Sequence, residues 1–203
     1  MSGIIGAGGA RSGILGQETI PATISVDTIN EKTSGNGVDI DGLKLKDQNI
    51  QRGSNVGIST DSSGRLNFPS QPVFYCAGLG GIHNTKDSWE IINNWTEVAD
   101  IGGNFTGGIF TAPIDGKYQY SYSLQLLSSG ASKDNELRVK VGSTYYYNYF
   151  LESTRGVAYA FASQTNVVSM SASDTLRIEY FLEDSGTIPT NAGFQFFSGH
   201  LIA

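Results

Sequence analysis

From Lys117 to Leu126 apolar and polar positions alternate without a fault. Tyr118, Tyr120, Tyr122, Leu124 and Leu126 share one parity; Lys117, Gln119, Ser121, Ser123 and Gln125 share the other. A period of two belongs to a strand with one face buried. "ELRVKV" repeats it, with Leu137, Val139 and Val141 inward and Arg138 and Lys140 outward. "DTLRIEYFLED" does the same with Leu176, Ile178, Tyr180 and Leu182, "GVAYAFAS" alternates alanines with Val157, Tyr159 and Phe161, and "GFQFFSGHLIA" reads as a last strand. "LSSGASKDN" and "EDSGTIPTNAG" separate them as loops. "SWEIINNWTEVA" has some helical character, but its central asparagines favour a loop and an edge strand. Many short strands between turn signals predict a β-sandwich or jelly roll.

The first third of the chain has a weaker form of the same pattern. "TSGNGVDIDGLKLKD" places Val38 and Ile40, then Leu43 and Leu45, on one parity, with turn dipeptides at Asn36-Gly37 and Asp41-Gly42. Strands this short and this poor in large side chains do not stand alone. They need cover from the rest of the chain or from other copies of it. Phe68 is the single aromatic before residue 73, so the conventional core must lie in 73–203. Pro69 and Pro72 mark the boundary. Residues 1–17 are Gly-rich and contain a near-repeat, "SGIIG" at 2–6 and "SGILG" at 12–16. Three units are therefore expected: a Gly-rich tail over 1–23, a β-hairpin stalk or collar with its linker over 24–72, and a knob over 73–203.

Composition narrows the function. A net charge of −6 argues against a nucleic-acid partner. Cys76 is the one cysteine, so no intrachain disulfide forms, and with only His83 and His200 a Cys/His zinc cluster is excluded. Cys76 lies in the apolar run "VFYCAGL" and reads as a buried, inert thiol. No apolar run approaches the ~20 residues of a membrane span, and no signal-peptide pattern opens the chain. Membrane insertion is not expected, and assembly in a cytoplasm is.

"FTAPIDGKYQYSY" carries a family resemblance. Phe110, Gly116, Tyr118, Tyr120 and Tyr122 fall on the signature positions of the complement-q globular head, part of the jelly-roll superfamily that includes tumour necrosis factor. "VSMSASDTLRIEYF", with Asp174 at its turn, resembles the stretch before that family's penultimate strand. "FSGHLIA", with Phe197 and Gly199, resembles its last strand. Gly103 stands where the signature expects an aromatic, and Phe105 is the substitute. Gly116 is expected in a tight turn at positive φ. The resemblance covers about 73–203 and implies an all-β jelly-roll sandwich in a compact homotrimer, these residues forming core and trimer packing. "ISVDTINEKTSGNGVDIDGLKLKD" and the "MSGIIG…RSGILG" start are similar to structural proteins of marine tailed phages, cyanophages among them.

Catalytic chemistry finds little footing. The opening glycines imitate a dinucleotide fingerprint, but Gly6 and Gly8 are followed by Arg11 in the third glycine position, and no βαβ unit follows. There is no G-x-S-x-G elbow, no carboxylate pair is singled out, and "DIDG" is too short for a calcium loop. No catalytic residue, metal or cofactor is assigned. The expected protein is a non-enzymatic virion component: a trimeric short tail or head fibre. Ile4, Ile5, Arg11, Ile14 and Leu15 would dock on another virion protein, and the knob would meet the host surface. The alternatives are a capsid decoration protein without a receptor role, a free carbohydrate-binding adhesin, and, less supported, a glycan depolymerase. Tyr145, Tyr146, Tyr147 and Tyr149 are the candidate glycan contacts, unless both faces of their strand pack.

Overall fold

The computed structural model describes residues 35–40, 43–52, 54–128, 134–152, 158–183, 187–190 and 193–203. Every regular element among them is a strand. The first five are short: β1 (Val38–Ile40), β2 (Leu43–Lys46), β3 (Asn49–Arg52), β4 (Asn55–Thr60) and β5 (Leu66–Asn67). They pair in chain order as one antiparallel sheet. Register puts Val38, Leu45, Ile50 and Ile58 side by side across four strands, with Leu66 opposite Thr60 on the fifth. The other parity carries Lys44, Lys46, Asn49 and Gln51. Among the described residues nothing in the chain covers the apolar face, and Leu43, Leu45 and Leu66 remain 46%, 43% and 63% exposed.

Pro69 and Pro72 then stop the ladder. Eleven further strands follow: β6 (Val73–Leu79), β7 (Trp89–Ile91), β8 (Trp95–Ile101), β9 (Phe105–Thr106), β10 (Ile109–Thr111), β11 (Gly116–Ser128), β12 (Asp134–Val141), β13 (Thr144–Glu152), β14 (Ala158–Met170), β15 (Thr175–Leu182) and β16 (Phe196–Leu201). They form two sheets, β13-β12-β15-β10-β9 with β7 against β15, and β14-β11-β16-β6-β8. Residues 88–99 thus hold two strands in two sheets rather than a loop and one edge strand, with Ile92 buried between them.

The sheets pack face to face, their inner parities forming the core. Tyr118, Tyr120, Tyr122, Leu124 and Leu126 of β11 meet Leu137 and Val139 of β12 and Leu176, Ile178, Tyr180 and Leu182 of β15, all buried. Phe74 is the hub. Its ring stacks on Phe105 at 4.8 Å and on Phe110 at 4.9 Å, and meets Phe197 edge-on at 4.8 Å. Phe105 is buried in this cluster, with its ring also 5.9 Å from that of Phe197. On β14 the alternation is inverted relative to side-chain size: Ala162 is buried and Phe161 is 53% exposed. Ala162 stands opposite the buried Leu124 of β11.

One expectation is corrected. Gly116 does not adopt a left-handed conformation; it is the first residue of β11. Glycine is needed because a Cβ there would lie 2.5 Å from Leu201 Cδ1 and 2.6 Å from the Ala203 carbonyl oxygen. The same crowding applies at Gly199, where a Cβ would meet Phe74 Cε1 at 2.6 Å. The entry and exit of the sandwich are neighbours, with Val73 opposite His200. The Leu201 amide donates to the Pro72 carbonyl at 3.1 Å.

Candidate functional site

Ile4, Ile5, Arg11, Ile14 and Leu15 lie outside the described residues. Phe110, Tyr118, Tyr120, Tyr122 and Phe197 are fully buried between the sheets, so they contribute to the sandwich interior rather than to a surface. The Tyr118 hydroxyl donates to the Ile114 carbonyl at 2.8 Å. The tyrosine cluster on β13 is split by a bulge opposite Val139 and Lys140. Tyr145 pairs with Lys140, Tyr147 with Val139 and Tyr149 with Leu137; the side chains of Tyr147 and Tyr149 lie outside the described ones. Tyr145 and Tyr146 are surface residues, 47% and 39% exposed.

Tyr145 belongs to a larger assembly on the outer face of this sheet. Register aligns Tyr145, Lys140 and Arg177 in one row and Arg138, Glu179 and Ile91 in the next. The Arg138 guanidinium lies between two rings, 3.7 Å from the Trp89 centroid and 3.9 Å from that of Tyr145. Trp89 in turn rests on Phe181 at 5.7 Å, and Lys140 Nζ sits 5.1 Å from the Tyr145 centroid. Glu179 holds the stack from beneath. Arg138 Nε and Nη2 each donate to Glu179 Oε2 at 2.6 Å, and Arg177 Nε donates to Oε1 at 2.7 Å. Its side chain is 6% exposed. Outward parity alone marks these residues as surface in the sequence. Nothing local joins Arg138 to Glu179, 41 residues away, or either to Trp89.

Burial pushes the Glu179 carboxyl up, but hydrogen bonds from Arg177 and Arg138, with the charges of both, more than reverse this and leave it below the ordinary value. A carboxylate held low in the folded state gives stability that is complete above its unfolded value near 4.5 and is lost as pH falls toward the folded value. Glu179→Gln is therefore expected to cost about 3 kcal/mol at pH 7, the lower end for breaking a buried pair. Urea melts of both proteins at pH 7 and pH 3.5 check this; the gap should narrow at the acid pH. Burial also pushes the Cys76 thiol up to about 12, so it stays protonated and unreactive.

The outer face of the other sheet has the opposite chemistry. Its rows read Val167, Gln119, His200, Val73, Ile101, then Thr165, Ser121, Ser198, Tyr75, Ala99, then Ser163, Ser123, Phe196, Ala77. No Asp, Glu, Lys or Arg occurs in these rows, and Tyr75, Ile101 and Val167 are 40%, 40% and 45% exposed. Among the described residues no group of three or more His, Cys, Asp or Glu gathers to hold a metal, and no helix is long and apolar enough to cross a membrane.

No protein-family model matches the chain, and no curated protein sequence matches it. Solved structures do. Murine APRIL is similar at TM-score 0.50 and 10% identity, over 65% of this chain and 99% of that one. The globular domain of zebrafish complement 1qA protein aligns at TM-score 0.45 and 18% identity over 66% and 98%. The Eiger TNF of S. frugiperda aligns at 0.47 and 12% over 66% and 94%. At such identities the likeness is one of fold alone: the two-sheet unit is a jelly-roll sandwich similar to that of murine APRIL.

Proposed function

We propose that the chain is a non-enzymatic, homotrimeric virion protein of a bacteriophage, a short fibre whose jelly-roll knob is presented outward for host-surface attachment. The observation that carries the trimer is the block of three uncharged rows on the outer face of the β14-β11-β16-β6-β8 sheet, bordered at one end by Lys117. Interface cores are depleted of charge and enriched in tyrosine, and contiguous exposed apolar surface marks a contact. The apolar face of the small sheet adds to this, since its strands are too short to be stable as a single uncovered layer. Two further copies would cover both faces under one three-fold symmetry, leaving the charged face of the other sheet in water. The virion assignment is supported by the likeness of residues 2–16 and 24–47 to marine phage structural proteins. The Gly-rich tail over 1–23 would be the anchor, with Ile4, Ile5, Ile14 and Leu15 as apolar plugs and Arg11 between them.

Light scattering is expected to give three times the 21.7 kDa chain mass. Tyr75→Glu with Thr165→Glu is expected to give a folded species at the mass of one chain, because each carboxylate would be buried unpaired. A wild-type monomer would overturn the trimer, and a trimeric double variant would overturn the face. Deleting residues 1–23 is expected to leave the knob folded and remove the protein from purified particles. Retention in the particle would sink the anchor.

A further inference from the structure

The row Tyr145–Lys140–Arg177 breaks a pairing rule. Like charges directly opposite each other on neighbouring strands destabilise a sheet, yet Lys140 is paired with Arg177. Glu179, one row on, accepts from Arg177 and Arg138 together, and among the described residues no salt bridge joins Lys140 to it. This occurs on a chain of net charge −6. Departures of this kind are expected where function offsets a local cost. The aromatic partners are held in place as well: the Tyr145 ring packs on Arg138, which also contacts Trp89 and pairs with Glu179. A ring fixed in this way loses little freedom when a ligand lands on it.

We propose that this outer face binds an anionic polysaccharide. The exposed Tyr145 ring takes the C–H face of a sugar, and Lys140 and Arg177 take its carboxylate or sulfate. Arg138, Glu179 and Trp89 are positioning residues. The inference rests on the reading of the knob as an outward-presented module and adds the ligand chemistry to it. A flat, open face suits a repeating chain that crosses several strands better than a small molecule, which favours an enclosed pocket.

The test uses the full chain at low salt against three immobilised polymers: alginate for carboxylate, dextran sulfate for sulfate, and neutral dextran. Retention on at least one polyanion, weakened by added salt and absent on dextran, is expected. Lys140→Gln and Tyr145→Ala, both at solvent-facing positions, should each lower affinity at least about fivefold. Lys117→Gln, at the opposite sheet, should leave it unchanged. Binding to neither polyanion, equal binding to dextran, or equal losses from Lys117→Gln and Lys140→Gln would overturn the site. The molecular mass in the same buffer reports separately on the trimer, so failure of the site and failure of the assembly are told apart.

Discussion

Phe74→Ala is expected to lower the unfolding free energy by about 4 kcal/mol. Three rings rest directly on Phe74, within 4.9 Å of its centroid, and its own exposure is nil. Truncation removes its transfer free energy and leaves a void that the neighbours fill poorly. Phe105 and Phe110 are fixed by the two-residue turn between β9 and β10, and Phe197 is fixed on β16 between Tyr122 of β11 and Cys76 of β6. Domains of this kind have only ~5–15 kcal/mol to lose, so the variant should melt far below the wild type. Phe74→Leu, which refills part of the volume, should recover more than half of the loss. Denaturant titration with circular dichroism checks both, and a loss below about 1.5 kcal/mol would mean that the hub is not closely packed.

Gly108→Ala is expected to cost at least about 3 kcal/mol. Gly107 and Gly108 form the β9–β10 turn with φ of +58° and +80°. A methyl group at Gly107 would meet nothing within 4 Å, whereas at Gly108 it would lie 2.0 Å from the Ile92 carbonyl oxygen and 2.8 Å from Asn93 Cα. Backbone conformation alone costs each position roughly 1–2 kcal/mol. Gly108 adds overpacking against main chain that is itself held in place, since Ile92 is buried and its amide donates to Ile178 at 3.1 Å. Gly107→Ala is the internal control. Equal melting temperatures for the two variants would show that the turn, and not the clash, sets the cost.

The alternation in β11, β12 and β15 made the sandwich legible from sequence, because a half-buried strand writes its inner face at every second residue. Three things were not legible. The β2–β3 turn has positive φ at Asp47 and Gln48, 47° and 65°, without the glycine that usually announces it. On β14 the period was visible but its direction was not, since Ala162 faces inward opposite Leu124 while the larger Phe161 faces out, a choice fixed by the opposing strand and not by hydrophobicity. The Trp89–Arg138–Tyr145 stack was invisible for a topological reason: β7, β12 and β13 become neighbours only when β15 lies between β7 and β12. Tyr145 and Tyr146 reach the surface, and the bulge that sets their register carries no sequence mark.

The adjacency of Val73 and His200 has a mechanical meaning. A sandwich pulled at Pro72 along the axis of β6 would receive the load at the first residue of that strand. That strand lies between β16 and β8. Its hydrogen bonds run across the pulling direction. They would therefore be strained together in shear and not opened one by one, and the unit would resist extension along its tether better than peeling from the side.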